Sequence, residues 1–339
     1  MLNRSAAASP AAAGRSPGTF VLWLVGALAV LLAALVLAVT RGSVPVSPTQ
    51  IVEVLRGGGD DLARTVILDL RLPRALLAAV VGGNLAVAGV LLQSALRNPL
   101  GDPHLVGVSA GAGLGAVLAF SFFAGSFAAL PLSAFAGALL SAVIVYGLAY
   151  REGAQPLRLI LAGVALTSLL GAATNALLSV SSAPLPVVMS WLMGGFSGRS
   201  WGELEALLPW SVVGLLAALV ASRAMNVLAL GDELVHGLGL RVERLRLGLL
   251  GLGAMLAGAS VAASGVIGFV GLVVPHVARL TVGAAHERVV PLSWLLGAAL
   301  LVVADTGARL LLDPTELPVG IFTAALGAPY FLHLLRRRV

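Results

Sequence analysis

Long stretches of this chain carry no charged residue at all. The uncharged runs are 16–40, 75–96, 105–150, 159–198, 247–278 and 317–335. An α-helix needs about 20 apolar residues to cross about 30 Å of hydrocarbon, and each run approaches or exceeds that length. A charge in the centre of a bilayer is costly, and only helices and closed barrels satisfy their backbone there. Repeated runs of this length therefore predict an all-α polytopic membrane protein.

The composition excludes several other classes of protein. Apolar residues make up 59% of the chain and charged residues 11%, which rules out a soluble protein. The chain has no Cys, so disulfides, thiolate nucleophiles and Cys-ligated metals are excluded. All 21 basic residues are Arg, which removes the phosphate-binding Lys of a Walker-A ATPase. The five His residues show no ligand spacing, so we expect no metal and no other cofactor.

The net charge of +6 does not indicate nucleic acid binding. The arginines are scattered between the apolar runs, and no groove of polar or stacking residues accompanies them. Arginines at the ends of membrane spans fix the orientation of the protein. We therefore expect membrane lipid, and no nucleic acid, around these charges.

A ruler of 20 residues divides the chain into ten membrane spans. They fall at about 19–40, 72–96, two within 105–150, 159–180, 204–222, two within 247–278, 290–309 and 320–335. Breaks near 124–131 and 265–271 divide the two paired runs. A surface helix over 47–56 and a re-entrant or interfacial piece over 181–198 complete the pattern.

The ten spans form a single transmembrane domain, 19–335, between short tails at 1–18 and 336–339. An even number of spans puts both termini on one side of the membrane. Fourteen of the 21 arginines lie on that side, at positions 4, 15, 97, 151, 158, 223, 241, 244, 246, 279, 288 and 336–338. The positive-inside rule then predicts cytoplasmic termini and a charged cytoplasmic loop over about 223–246.

The segment Gly107 to Gly111 spells the G-x-S-x-G motif of serine hydrolases, centred on Ser109. That motif needs a strand before the Ser, whereas this one lies at the start of an apolar helix. An intramembrane serine hydrolase would pair Ser109 with a His on another helix, and His276 is the available partner. This activity stays a remote alternative, and the 41 glycines are interpreted first as helix-packing residues.

Asp305 and Arg309 lie four residues apart near the outer end of the ninth span. At this spacing the two side chains share one helix face, so they can neutralise each other. A proton relay would need several unpaired acids along a path, and Asp305 has no such companions. An ion-coupled secondary transporter is therefore disfavoured, although it remains an alternative.

Several motifs, spaced along most of the chain, resemble one known family. The first series is Arg71-Leu72-Pro73-Arg74, Gly82-Gly83-Asn84, Gln93, Arg97 through Pro103, and Gly107. Later blocks are Leu161 to Leu166, Trp191 to Phe196, Gly268 to Arg279, Glu316 to Gly320 and Gly327 to Pro329. Together they resemble the FecCD family of type II ABC importers, the permeases for vitamin B12, haem and iron-siderophore complexes. The resemblance runs from about residue 20 to the C-terminus.

The resemblance implies ten spans per subunit and cytoplasmic termini, in agreement with the count above. It also implies that two permeases, a homodimer or a homologous pair, form the pore. Two separate ATP-binding cassette subunits would hydrolyse ATP beneath them, and a substrate-binding protein would dock from outside. The chain itself would then be no enzyme, which accounts for the missing Lys.

Acids at the start and glycines at the end of the segment 231–239 predict a short helix followed by a turn. The spacing alone leaves an ordinary solvated loop as the alternative. The resemblance implies instead a coupling helix that sits in a groove of the ATPase. Its residues would be Gly231, Asp232, Glu233, His236, Gly237, Leu238 and Gly239.

Arg71 and Arg74 begin the second span, and Arg309 ends the ninth, all on the predicted external face. The planar fork of Arg matches a carboxylate, so these residues could hold acidic groups of a binding protein. The resemblance implies this docking role. The alternative is anchoring to lipid headgroups, and Asp305 competes for Arg309.

The resemblance places Asn98 and Leu100 where relatives narrow the cytoplasmic exit. A second constriction of relatives is in doubt, because Pro156 and Leu157 replace small hydroxylated residues there. Spans five and ten, which line the pore in relatives, contain no acidic residue, which suits a bulky chelate handed over whole. We therefore expect a permease of the bacterial inner membrane for a ferric siderophore, with haem or cobalamin as alternatives.

Overall fold

The computed structural model describes residues 17–338 except 43, 45, 124–127, 151–154, 238–240 and 312–314. The regular elements of this part are helices. Their bounds are α1 Pro17–Thr40, α2 Pro48–Leu55, α3 Asp61–Arg64, α4 Leu72–Ala95, α5 Val108–Phe122, α6 Ala129–Ala149, α7 Pro156–Val180, α8 Leu185–Leu192, α9 Trp201–Ala229, α10 Asp232–Gly237, α11 Val242–Ser264, α12 Val270–Val282, α13 His286–Leu311 and α14 Val319–Arg338. A π-helical stretch, Thr65–Arg71, joins α3 to α4, so that Asp61–Ala95 is one rod of 35 residues.

Seven of the described helices are long and apolar enough to cross a bilayer: α1, the rod Asp61–Ala95, α6, α7, α9, α11 and α13. Three shorter apolar helices accompany them, namely α5, α12 and the segment Val319–Tyr330 of α14. These helices confirm the prediction of an all-α polytopic membrane protein.

The helices extend beyond several boundaries that the 20-residue ruler gave. The second span was expected to begin at 72, but its helix begins at Asp61. The charged loop expected over 223–246 is largely helical, because α9 continues to Ala229 and α11 begins at Val242. Spans defined by the absence of charge end at the first charged residue. A helix can continue beyond that residue into water when its side chain, such as that of Arg223, is exposed.

Helix α4 forms the centre of the bundle. Most of its residues are buried, and it packs against α9, α11, α12 and α13. In contrast, α1, α6, α7 and α9 bury only a minor part of their apolar surface. The buried residues of α7 are Leu159, Gly163 and Leu166. These four peripheral helices therefore present broad apolar faces to lipid or to other subunits.

Glycines bring helix backbones into direct contact. A Cβ atom on Gly82 of α4 would overlap the carbonyl oxygen of Gly297 of α13, and one on Gly297 would overlap the carbonyl of Gly82. Gly111 of α5 and Gly137 of α6 face each other in the same way. Lipid gives helices no hydrophobic drive to associate, so close backbone packing stabilises their contact. The two glycine pairs set how closely their helices approach.

A second set of glycines joins three breaks between helices at one end of the bundle, which is called the outer end because the sequence predicts it to face outside. The amide of Gly195 donates to the carbonyl of Ser264 at 2.8 Å, and the amide of Gly320 donates to the carbonyl of Gly194 at 3.3 Å. Gly265 has φ +73°, and a Cβ there would overlap the carbonyl of Trp191. Non-helical backbone at membrane depth must be buried in protein, and these contacts bury it.

We expect Gly82→Ala to destabilise the bundle, because the added methyl group forces α4 and α13 apart. Overpacking of this kind costs about 1–3 kcal/mol. Gly147→Ala on α6 is the matched control, since a Cβ there meets nothing within 4 Å. Thermal unfolding of the detergent-solubilised protein should show a lower midpoint for Gly82→Ala and an equal or higher one for Gly147→Ala. Equal midpoints for both variants would contradict the role of the glycine contact.

Candidate docking, coupling and gate sites

The outer end of the bundle carries a cluster of paired charges. The guanidinium of Arg74 lies 2.8 Å from one carboxylate oxygen of Asp305 and 2.9 Å from one of Glu316. Arg309 also contacts Asp305, at 3.4 Å, so the i, i+4 pair expected from sequence is present. Asp305 therefore pairs with two arginines, one on α4 and one on α13. The side chain of Asp305 is 4% exposed and that of Glu316 is 40% exposed, so only one of the two acids is open to solvent.

Arg71 and Arg309 hold the C-terminus of α1. Arg71 donates to the carbonyls of Val39 and Thr40, at 2.9 and 3.4 Å, and Arg309 donates to the carbonyl of Ala38 at 3.2 Å. The last carbonyls of a helix have no intrahelical partner, and cations there also interact favourably with the helix dipole. The two arginines thereby fix α1, whose own surface is mostly exposed, to the rest of the bundle.

The structure thus brings Arg71, Arg74 and Arg309 together but engages all three inside the chain. Arg71 is buried, and the side chains of Arg74 and Arg309 are only 13% and 9% exposed. Sequence reasoning expected the three guanidinium groups to be accessible to a binding protein, and it identified only Asp305 as an internal partner that competes for one of them. The other partners lie far away in the sequence, on the end of α1 and at Glu316.

We expect the buried part of this cluster to stabilise the fold. Asp305→Asn leaves two poorly exposed guanidinium groups without their shared carboxylate, and breaking such a pair costs about 3–5 kcal/mol. Glu316→Gln, the control, removes an exposed partner of Arg74 and should cost about 1 kcal/mol or less. Thermal unfolding in detergent will compare them. A loss of stability from Glu316→Gln as large as that from Asp305→Asn would contradict this account.

The opposite end carries the short helix α10, within the segment expected to be a coupling helix. Gly231 precedes it with φ +114°, and Gly237 ends it. Val235 is buried, whereas Leu234 is 59% exposed. Leu238 and Gly239 lie outside the described residues, as do the side chains of Glu233 and His236.

Asp232, the first residue of α10, turns its carboxylate toward α11 and the end of α4. Arg246 of α11 donates to both oxygens of Asp232, at 3.2 and 3.3 Å, and to the carbonyl of Ala95 at 2.9 Å. Arg97, just beyond α4, approaches Asp232 at 3.5 Å. Sequence reasoning placed Asp232 on the ATPase side, named Arg97 only as part of a motif block, and gave neither Arg97 nor Arg246 a partner. A basic residue at the end of a span is usually a surface charge, so no local signal distinguished them.

The gate residues expected from sequence lie in a tight turn that follows α4. The amide of Asn98 donates to the carbonyl of Gln93 at 3.1 Å, and the side chain of Asn98 accepts from the amide of Leu100 at 2.9 Å. Leu100 is 36% exposed at the surface of the turn. The preceding residue, Arg97, has φ +46°, which few residues other than Gly adopt. The turn therefore fixes Asn98 and exposes Leu100.

The serine hydrolase motif does not form a nucleophile elbow. Gly107 adopts φ +76° and α5 begins at Val108, so a helix carries Ser109 directly. The imidazole that contacts the Ser109 hydroxyl is that of His104, which precedes α5 in sequence. Sequence reasoning had named His276 of α12 as the available partner and had not considered His104. Among the described residues, no group of three or more His, Asp or Glu side chains could hold a metal ion.

Two further polar links, which sequence reasoning missed, lie near the end of the bundle that carries α10. Gln93 of α4 donates to the carbonyl of Gly271 at 3.0 Å and accepts from Arg279 of α12. His286 contacts Ser94 at 2.8 Å and Asn226 at 2.7 Å through its two ring nitrogens. The C-terminal half of α4 is thus tied by polar side chains to α9, α12 and α13.

Comparison with known proteins agrees with this arrangement. A model of the FecCD transport family matches residues 30–337. The chain belongs to the FecCD transport family. It is 46% identical over 285 residues to the cobalamin import permease BtuC of Halobacterium salinarum, covering 84% of this chain and 77% of that protein. It is 39% identical over 314 residues to the iron(3+)-hydroxamate import permease FhuG of Bacillus subtilis, covering 89% and 92%.

Two more matches extend the comparison. The hemin transport permease HmuU of Yersinia pestis is 44% identical over 281 residues, covering 80% of this chain and 83% of that protein. A solved structure of a metal-chelate type ABC transporter in an inward-facing conformation has a TM-score of 0.84 and 34% identity, covering 93% of this chain and 98% of that one. The protein is thus a permease subunit of an ABC importer in the cytoplasmic membrane. Its family works with an ATPase in a separate subunit and with a binding protein.

Proposed function

We propose that this chain forms one half of a two-permease pore that carries a ferric siderophore into the cell. The exposed face of α7 carries this proposal. Between Arg158 and Arg199 the sequence has no charge, and only one stripe of α7 is buried in the subunit. Haem and cobalamin are the alternative substrates, since relatives named for those ligands are as similar as those named for siderophores.

The exposed face of α7 has the chemistry that a pore for a large chelate needs. Ser168, Asn175 and Ser179 lie on one side of the helix, at intervals of seven and four residues, and all three are exposed. Hydroxyl and amide groups hydrogen-bond weakly to the carbonyl and hydroxamate oxygens of a siderophore, and a site without charge does not retain it. Affinity would then reside in the external binding protein.

We infer ten membrane segments with both termini in the cytoplasm. The seven long helices and the three shorter apolar ones together make ten. Two of the shorter helices, α5 and α12, follow buried non-helical backbone at Gly101 to Gly107 and near Gly265, which adds length to each segment. The end of the bundle that bears α10 holds the greater number of arginines, in agreement with the positive-inside rule.

We propose that the outer charge cluster docks the substrate-binding protein through Arg74. The Nε and Nη2 atoms of Arg74 donate to the buried Asp305, while its Nη1 donates to the exposed Glu316. A carboxylate of the binding protein could replace Glu316 there. Arg71 and Arg309 support this site from inside the chain by holding α1.

We propose that α10 is the coupling helix that contacts the ATPase. It lies at the end of the bundle assigned to the cytoplasm, and its exposed Leu234 is the apolar group suited to a groove in a partner. Asn98 and Leu100 lie close by in sequence to Arg97, which contacts the first residue of α10. The expected gate and the expected coupling segment are therefore neighbours in the fold.

Uptake by the assembled importer tests the proposed function. In proteoliposomes that contain the permease, its ATPase and its binding protein, we expect uptake of a ferric siderophore to need ATP inside the vesicle. A protonophore should leave that uptake unchanged, and the permease alone should give none. Haem and cobalamin assayed in the same vesicles will show which substrate is carried.

The two remaining alternatives give different results in this assay. An ion-coupled transporter would continue uptake without ATP as long as a proton gradient is maintained. A serine hydrolase would lose its hydrolytic activity in the Ser109→Ala variant. An importer permease has no hydrolytic activity of its own, so the same variant should show no such loss. Uptake that survives ATP depletion would overturn the proposed function.

Docking at Arg74 predicts opposite effects for its removal and for the removal of its competitor. We expect Arg74→Gln to weaken binding of the binding protein, and Glu316→Gln to strengthen it by freeing the guanidinium. Both changes in affinity should shrink as salt is raised. Glu53→Gln, which removes an exposed acid of α2, is the control for the change in net charge. Equal effects of Glu316→Gln and Glu53→Gln at low salt would refute docking at Arg74.

A further inference from the structure

We propose that Asp232 is a positioning residue that clasps the coupling helix to the inner end of α4, so that movement of α10 reaches the gate turn. The inference rests on the proposed function of α10. It assigns Asp232 a role toward the permease, because its carboxylate contacts Arg246 and Arg97 of this chain.

The first half of the clasp is Arg246, a cation with little access to water. Its side chain is 4% exposed, and it donates to Ala95 and to Asp232 at the same time. Ala95 is the last residue of α4. A poorly hydrated guanidinium is stable when its donors are matched by carboxylate and carbonyl oxygens. Arg246 therefore joins three elements: α11, on which it lies, the end of α4 and the start of α10.

The second half of the clasp is Arg97, which adjoins the gate turn directly. Arg97 and Asp232 are both about 40% exposed, so their contact at 3.5 Å is weaker than that of Arg246. This contact nevertheless links Asp232 to the gate turn, because Arg97 directly precedes Asn98. A Cβ at Gly231 would lie 3.7 Å from the guanidinium of Arg97, so the start of α10 packs beside Arg97. One carboxylate thus holds both the end of α4 and the turn that follows.

A short helix transmits movement only if it is attached firmly. Helix α10 has six residues, and Val235 is its buried apolar side chain among those that the structure describes. An isolated helix of this length is not stable in water. A hydrogen-bonded ion pair resists sliding better than one small apolar contact, because its geometry is directional. The clasp is accordingly the means by which a displacement of α10 would move the end of α4.

The test is the ratio of ATP hydrolysed to chelate transported by the complete importer in proteoliposomes. We expect Asp232→Asn to keep the ATPase bound and active but to raise the ATP consumed per chelate about tenfold, which corresponds to about 1.4 kcal/mol of coupling. Asp232→Glu, which keeps the carboxylate, should restore much of the coupling. A variant that was merely less stable would lose ATPase activity and uptake in parallel, and that result would overturn the clasp.

Arg97→Gln provides a second variant in case Asp232→Asn does not fold. It removes only the more exposed arm, so the protein should assemble and show a smaller rise in ATP per chelate. In the double variant, Arg97→Gln should add little to Asp232→Asn, because both remove the same contact. Fully additive effects, or an unchanged ratio for Arg97→Gln, would count against a path through Arg97 to the gate.

Leu234→Asp separates failure of the clasp from failure of the proposed function. It places a charge on the exposed side of α10, so we expect the ATPase no longer to co-purify with the permease. If Leu234→Asp releases the ATPase but Asp232→Asn leaves the ratio unchanged, α10 couples without the clasp. If Leu234→Asp has no effect on the complex, the assignment of α10 itself is wrong.

Discussion

Helices in a bilayer gain nothing from hiding apolar side chains, so their association depends on how closely their backbones can approach. In this protein the closest approaches occur at paired glycines such as Gly82 with Gly297 and Gly111 with Gly137. The first pair fixes the contact of α4 with α13 at the centre of the bundle, and the other helices pack around it. Small residues in α4 therefore do more than avoid a clash. They leave α4 buried along most of its length, from Pro73 to Ala95.

Because the interior has little that is charged, the ionic contacts of the described residues concentrate at the two ends of the bundle. At the outer end Asp305 joins Arg74 and Arg309, and at the inner end Asp232 joins Arg97 and Arg246. In both cases one carboxylate pairs with two arginines that lie on different elements of the chain. Such a cluster fixes the relative position of elements that apolar contacts alone would let slide.

The fold was largely predictable from sequence, and the site much less so. Charge-free runs and break residues indicate helices because the cost of a charge in lipid is local and large. Helix ends were misplaced where a helix continues into water, as at Asp61 and Ala229, since nothing in the run of charges marks that point. The partners of Arg71 and Arg74 could not be predicted, because the α1 carbonyls and Glu316 reach them only through the packing of distant helices. The motif blocks indicated which residues matter, but not which way their side chains turn.

The positions of the two clusters give α4 a particular mechanical role. Its outer end is held by Arg74, beside the surface proposed for the binding protein, and its inner end is held by Arg246, beside the coupling helix. A packed core changes by discrete rearrangement and not by gradual bending, so a helix buried on nearly all sides moves as a unit. A binding event at one end and nucleotide hydrolysis at the other would therefore act on the same rigid rod. This arrangement lets two partners on opposite sides of the membrane bias one gate without any charged residue along the path between them.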